Sequence, residues 1–208
     1  MSLDPSIHGL SNREEMVPFI PRSATTVLDV GCSRGLFVKS LLAARPELRI
    51  TGIEVDANAA ESAATHYASV IRGCFPDDVP SGTTYDCLVF NDVLEHIVDP
   101  WTALRGSTSH LADGGVVVAS IPNVRYMPVV LRLLLQGRFD YVDFGILDRS
   151  HLRFFTRSSI DALVSTTGFV VETIEPINAS QRWWAFIAIG PFKDMRYLQF
   201  SVVAHPRT

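Results

Sequence analysis

The chain has 208 residues, 47% hydrophobic and 19% charged, a balance that builds a globular fold with a generous core and excludes a disordered chain. A net charge of -4 and a pI near 5.8 leave no basic footprint for nucleic acid or an anionic membrane, so the expected partner is a small or neutral substrate, or a protein. Cys32, Cys74 and Cys87, an odd number with no C-x-x-C spacing, point to neither a disulfide framework nor a zinc knuckle, and reduced thiols fit a cytoplasmic setting.

In chain order, Ser11 is placed to cap a short helix through Arg13-Glu14-Glu15-Met16-Val17, which Pro18 and Pro21 bring to an end. Met1 to Ile20 carries Asp4, Arg13, Glu14 and Glu15 and has no basic start leading into an apolar run, so it does not read as a secretory signal. No stretch approaches the roughly 20 uninterrupted apolar residues of a membrane span. Met127 to Leu135 and Trp183 to Phe192 come nearest and are too short.

Val27-Leu28-Asp29-Val30 is the apolar run of a buried parallel strand. It breaks at Gly31-Cys32-Ser33-Arg34-Gly35 and resumes as a helix with apolar Leu36, Phe37, Leu41 and Leu42, running to about Arg45 before Pro46. Gly31 and Gly35 let the backbone turn sharply and approach a ligand, while the helix N-terminus leaves N–H groups pointing at it. Arg49 to Val55 reads as a second strand ending in an acid. Glu54 stands 19 positions beyond Gly35, the distance at which a βαβ unit sets a carboxylate over ribose hydroxyls, and one carboxylate accepts from both. Asp56 is the expected cap of a helix from Ala57 to Tyr67.

Ser69 to Phe75 is a third strand. Tyr85-Asp86-Cys87-Leu88-Val89-Phe90 is a fourth, ending in the polar pair Asn91-Asp92 at the carboxyl edge where α/β sites lie; Pro100 opens the next helix. Asp113-Gly114-Gly115 turns into a fifth strand, Val116 to Ile121. A variable segment follows, with an apolar stretch from Val129 to Leu135 and aromatic Phe139, Tyr141 and Phe144, before Thr156 caps a helix from Arg157 to Thr167. Gly168 to Ile174 and Tyr197 to Ala204 are the sixth and seventh strands. Trp183 and Trp184 are adjacent and cannot share a face, which leaves one for the core and the other for an oligomer contact; a homodimer stays open.

Two nucleotide-binding readings of the first glycine turn compete. The dinucleotide pattern G-x-G-x-x-G needs glycine or alanine at positions 31, 33 and 36, and this chain has Gly31, Ser33 and Leu36, so hydride transfer with a nicotinamide cofactor is disfavoured. Val27 to Gly35 instead resembles motif I of the class I S-adenosylmethionine (AdoMet)-dependent methyltransferases, V-L-D-x-G-C-G-x-G, with Ser33 where the family usually has glycine. Tyr85 to Pro100, with Val93-Leu94-Glu95-His96 inside it, resembles the Y/F-D-x-V-x-x-x-x-V-L-E-H-x-x-D-P segment of ubiquinone-biosynthesis-type and small-molecule methyltransferases. His151 to Thr156 resembles the H-L-R-x-F-T pattern of methyltransferases from polysaccharide and natural-product clusters.

The resemblance implies one domain over 1–208, an α/β Rossmann-like sheet of seven mostly parallel strands with helices on both faces. It also implies an N-terminal cap helix over 1–22 and a substrate lid over 123–156, after strand 5. AdoMet is the implied cofactor, held by Asp29, Gly31, Cys32, Ser33, Gly35, Glu54, Val55, Cys74, Phe75, Asn91 and Asp92, with Asp29 and the Gly31 backbone on the methionyl part and Asn91 or Asp92 facing the methyl. Where the family commonly carries Gly-Asp for the adenine, this chain has Gly73-Cys74. Adenine recognition then falls to backbone groups at Cys74 and Phe75, or to Asp77.

AdoMet is an activated sulfonium, so methyl transfer asks the protein for position and, with a hydroxyl acceptor, for a base. His96 and His151 are the candidate bases, because histidine alone titrates near neutrality, and Asp148 stands three residues before His151 as an orienting partner. Asp92, Glu95 and His96 lack metal-ligand spacing, and no metal is expected. The expected activity is methyl transfer to an oxygen, or less favourably a nitrogen, of a small polar acceptor such as a sugar or secondary metabolite. The alternative is a non-catalytic AdoMet-binding partner of a biosynthetic enzyme, of the methionine-biosynthesis type, which Ile121-Pro122-Asn123 and Leu131 to Arg138 resemble.

Overall fold

The structure is a computed structural model that describes residues 12–182 and 189–207; Ser11 and the Trp183-Trp184 pair lie outside the described residues. Its strands are β1 (Thr26–Val30), β2 (Arg49–Glu54), β3 (Ser69–Arg72), β4 (Tyr85–Asn91), β5 (Leu111–Pro122), β6 (Phe169–Ala179) and β7 (Tyr197–Pro206). The helices are α1 (Leu36–Ala44), α2 (Ala57–Ala63), α3 (Pro100–Ser107), α4 (Met127–Gln136) and α5 (Arg157–Ser165). The strands form one sheet in the order β3-β2-β1-β4-β5-β7-β6, parallel except for β7, which runs antiparallel to both its neighbours. This is the expected Rossmann-like sheet.

Side-chain alternation along the central strands divides the core between two faces. Leu28 and Val30 of β1, Leu88 and Phe90 of β4, and Val117, Ala119 and Ile121 of β5 point to one side, where Leu104 of α3 and Ile160 and Leu163 of α5 cover them. Val27, Cys87, Val89, Val116 and Val118 point to the other, against Val38 and Leu41 of α1 and Met16 of the N-terminal segment. Strands buried on both faces explain why these stretches read as unbroken apolar runs.

Local signals set most helix starts. Asp56 Oδ1 accepts from Ala59 N at 2.8 Å and begins α2, Asp99 Oδ1 accepts from Thr102 N at 3.1 Å and begins α3 behind Pro100, and Thr156 with Ser159 forms a capping box on α5. Several ends differ from expectation. The first helix is a 3-10 turn, Glu14–Phe19, entered through Arg13 in the left-handed region (φ 50°), and Pro18 lies inside it instead of ending it. Helix α2 stops at Ala63, four residues short of Tyr67, whose hydroxyl is drawn down onto Asp29 at 2.5 Å. Strand β3 stops at Arg72, because Cys74 N turns to donate to Asp78 Oδ2 at 2.7 Å. Strand β5 begins at Leu111, taking in the Asp113-Gly114-Gly115 segment at a register shift opposite Tyr85 and Cys87.

The amino end of the β1–β4 pair is clasped by one carboxylate. Asp86 Oδ2 accepts from Thr25 N (2.7 Å), Thr25 Oγ1 (2.8 Å), Thr26 N (2.9 Å) and Thr26 Oγ1 (3.1 Å). These bonds, the Thr25 backbone foremost, hold its pKa down at about 2 against an ordinary 3.8. A carboxyl with a depressed folded pKa contributes stability that is fully present above its unfolded value and fades as pH falls towards the folded one. Asp86→Ala is therefore expected to lower stability by about 1 kcal/mol at pH 7. In thermal melts the gap to wild type closes as the pH drops from about 4 to 2.

Candidate active site

The sheet order reverses between β1 and β4, and a crevice opens at the carboxyl ends of these two strands. Two cavities fill it, of ≈ 640 and ≈ 370 Å³, meeting at Gly31, Asp92 and His96. Gly31 carries φ 68°, and a Cβ there would come within 2.7 Å of Val93 Cγ2, so this turn requires glycine on both counts.

The larger cavity runs from Gly31 past Glu54 and Val55 to Cys74, Phe75 and Asp77. Glu54 is held by two backbone donors, Ser33 N to Oε2 at 2.8 Å and Asp56 N to Oε1 at 2.9 Å. A carboxylate offers about four lone-pair sites, so both oxygens keep acceptor capacity towards the cavity. Val55 is 72% exposed at its rim. The Cys74 N–H is taken by Asp78 Oδ2 at 2.7 Å and its carbonyl accepts from Asp78 N at 3.0 Å, which leaves the second lone pair of that carbonyl as the Cys74 backbone group open to the cavity. Asp77 is the acid left on that wall.

The smaller cavity is lined by Asp29, Cys32, Ser33, Asn91, Asp92 and His151 among others. Gly35 lines neither cavity; a Cβ there would meet Tyr67 Cε2 at 3.0 Å, so it serves the packing of Tyr67 against α1. Asp29 is buried and accepts from Tyr67. Burial raises its pKa to about 7, against the opposing Tyr67 hydrogen bond and with help from the Glu54 charge; burial likewise pushes up the Cys32 thiol and the Tyr67 hydroxyl. The two side-chain atoms of Asn91 are buried without a hydrogen-bond partner among the described residues, an arrangement suited to a polar ligand.

Asp92 is already engaged. It sits at φ 54°, ion-pairs with the Arg13 guanidinium, and takes Ser120 Oγ (3.0 Å) and Gln199 Nε2 (2.7 Å) on Oδ1. Arg13 Nη2 also donates to Ser120 Oγ at 2.6 Å, and Asn178 Nδ2 to Gln199 Oε1 at 2.6 Å. This lock ties the N-terminal segment to β4, β5, β6 and β7. Of the Asn91-Asp92 pair, Asn91 is thus the side chain left for a ligand. Arg13, Tyr67, Ser120 and Gln199 were not singled out from the sequence. A signal existed for two of them: Ser120 and Gln199 are polar residues inside strands buried on both faces, where a polar group must find a partner.

His96 and His151, the two alternative candidate bases, lie with ring centroids 4.7 Å apart, a proximity that the sequence did not indicate. The Glu95 carbonyl arranges this, accepting from Leu152 N (2.8 Å) and Arg153 N (3.1 Å) and pinning the stretch that carries His151 beside β4's exit. His96 Nδ1 faces Ser150 O at 3.2 Å and His151 Nδ1 faces Ile146 O at 3.0 Å. The expected Asp148 orientation of His151 is replaced by that carbonyl, since Asp148 Oδ1 accepts from Ser150 N (2.8 Å) and Ser150 Oγ (2.5 Å). Burial would raise the Asp148 pKa, but the Ser150 bonds and the nearby imidazoles hold it low. Glu95 is buried between them, its carboxyl pushed well above the usual range by burial and then by the Asp92 charge. Glu95, His96 and His151 present ligand atoms all within 4.8 Å of one another, a grouping that differs from the Asp92, Glu95 and His96 set weighed from spacing.

Strand order, glycine turn and terminal acid of β2 define the class I AdoMet-dependent methyltransferase fold. A family profile described as a methyltransferase domain matches residues 9–174, and the chain belongs to that family. It is 26% identical over 179 residues to the ubiquinone biosynthesis O-methyltransferase of Psychrobacter arcticus, covering 76% of this chain and 65% of that protein. It is 27% identical over 174 residues to the protein of the same name from Nitrosomonas europaea, covering 75% and 70%. The chain thus spans about two thirds of the length of these relatives. Among solved structures, the plantazolicin methyltransferase BpumL in complex with SAH superposes with a TM-score of 0.66 at 15% identity, over 95% of this chain and 83% of that one, which shows the shared fold.

The raised pKa of Asp29 has a stability consequence of opposite sign to that of Asp86. The folded state holds a proton that the unfolded chain gives up, so stability declines by a few kcal/mol as pH rises from about 4 to 7. Asp29→Asn is expected to remove that decline in urea titrations run across this range.

Proposed function

We propose that this chain transfers a methyl group from AdoMet to an oxygen, or less favourably a nitrogen, of a small polar acceptor. The observation that carries the reading is the junction of the two cavities at Gly31, with the Glu54 carboxylate on one side and the Glu95, His96 and His151 cluster on the other. The residues present fit the cofactor. The glycine turn leaves room for close approach, Glu54 has lone pairs for a ribose diol, Asp77 lines the far wall, and the unpartnered Asn91 amide and buried Asp29 face the second cavity. AdoMet supplies, when bound, an activated methyl on a positively charged sulfur.

The chain's residues then have separate tasks. Glu54 and Asp77 fix the nucleoside, and Asp29 with the Gly31 backbone holds the amino-acid part; Asp29 favours its charged form once an ammonium faces it. Asn91 orients polar atoms at the junction. Segment 123–156, which packs on itself through Tyr126, Val129, Ile146 and Leu147 and contributes Asp143, Phe144, Asp148 and His151 to the smaller cavity, forms the acceptor wall and lid. The acceptor hydroxyl lies against His96 and His151, where its proton is taken up as the new bond forms. The names of the two O-methyltransferase relatives support oxygen over nitrogen.

Calorimetry with S-adenosylhomocysteine tests the first half of this reading. Wild type is expected to bind, Glu54→Ala to bind at least about tenfold more weakly through loss of charge-assisted hydrogen bonds, and Gly31→Val not at all. His96→Ala, at an exposed position, is expected to bind S-adenosylhomocysteine as wild type does while losing about 100-fold or more in methyl transfer to a catechol or sugar hydroxyl panel. Absence of binding at millimolar ligand by the wild type refutes the reading.

A further inference from the structure

We propose that helix α4 pairs with the α4 of a second copy of this chain, and that the pairing holds one wall of the smaller cavity in place. The helix is built the wrong way round for a monomer. Met127, Val130, Leu131, Leu134 and Leu135 recur at i, i+3, i+4, i+7 and i+8, the spacing of one apolar stripe along a helix. Yet Val129 is the only buried residue of α4, and Leu131, Leu134 and Leu135 are 41%, 74% and 72% exposed. With Leu133 and Tyr141 beside the stripe, the exposed apolar area is on the order of 600 Å², the size of the largest patch on a typical monomer. Its polar rim brings it to about the 800 Å² per partner that a standard interface buries.

The charges around the stripe select its occupant. An anionic bilayer holds an apolar helix face through unpaired cations at its flanks. Here Arg138 pairs with Asp140 at 2.6 Å, Arg149 pairs with Asp143 at 2.9 Å, Arg125 Nη2 donates to Pro191 O at 2.7 Å, and the whole chain carries -4. The surface that fits an uncharged stripe is another uncharged stripe, and this chain supplies one. A two-fold axis at Leu131 runs the two helices antiparallel, with Leu131 opposite its own copy and Leu135 opposite Met127. Such a contact uses the same patch on both subunits and closes at two copies.

The helix is joined to the cavity. Val129 belongs to a cluster of four buried residues, with Tyr126, Ile146 and Leu147, that stands apart from both faces of the main core. Asp143, Phe144 and Asp148, on the same loop as Ile146 and Leu147, line the smaller cavity. Four buried residues are a thin foundation for segment 123–156, and a second copy on the outer side of α4 clamps that segment between two apolar surfaces. Self-association needs neither AdoMet nor an acceptor; only the assignment of this wall to an acceptor rests on the methyltransferase reading.

Sedimentation of the full chain tests the pairing. At tens of micromolar the wild type is expected as a species of about twice 23.0 kDa. The double substitution Leu134→Glu with Leu135→Glu, at two exposed positions, is expected to weaken self-association at least about 100-fold, and the milder Leu131→Ala about tenfold. In hydrogen exchange, the amides of residues 142–148 are expected to exchange faster in the monomeric variant than in the wild type while those of β1 and β4 keep their protection, which separates loss of the pairing from loss of the fold. A wild type that stays monomeric overturns the proposal, and co-sedimentation of that monomer with phosphatidylglycerol vesicles gives the stripe to a bilayer instead. A dimer that survives the double substitution also overturns it, and unchanged exchange over 142–148 overturns the link to the cavity wall. Calorimetry with S-adenosylhomocysteine on the monomeric variant separates the two readings: binding there leaves the cofactor site standing whatever the mass, and a dimer that binds none supports the pairing alone.

Discussion

The parallel pairing of β1 with β2 on one side and with β4 on the other is the constraint on which the rest depends. Chains leaving β1 and β4 must depart to opposite faces, so the space above their carboxyl ends cannot be closed by either crossover. Most of the candidate groups stand at the rim of that opening. Gly31 and Glu54 end or follow β1 and β2, Asn91 to His96 follow β4, and His151 is drawn over the gap by two backbone bonds to Glu95.

Within that frame the burial of charge distributes roles. Asp29, Asp92 and Glu95 are three acids in a confined region, and each is handled differently. A tyrosine hydroxyl meets Asp29, an arginine and two neutral donors engage Asp92, and the side-chain oxygens of Glu95 have no hydrogen-bond partner among the described residues. Desolvation makes an unmet carboxylate the most expensive of the three, and so the most responsive to whatever positive species enters. Acids a few residues apart thus differ in electrostatic setting by their donors alone.

Much of this was legible in the sequence because it is local. The glycine turn, the acid ending β2, the Asp56 and Thr156 caps, the helix start at Pro100, and the apolar central strands all express themselves within a few residues, and the structure carries them. What could not be read is made by distant partners. Nothing near Arg13 announces that it reaches Asp92, Ser120 and Gln199, and the spacing of Glu95 and His96 gives no hint of His151, which the fold supplies from 55 positions away. Tyr67 looked like the last turn of a helix, because periodicity cannot register the pull of a buried carboxyl on its hydroxyl. The engagement of the Cys74 N–H by Asp78 was not legible either.

The Arg13 latch also bears on how the molecule is assembled. Its members come from residues 13, 92, 120, 178 and 199, so it forms only when nearly the whole described sheet is paired, including the antiparallel strand inserted between β5 and β6. Contacts of such sequence separation carry a loop-closure cost that local contacts do not. Closing the roof of the pocket is therefore tied to the antiparallel end of the sheet, far from the strands that hold its floor.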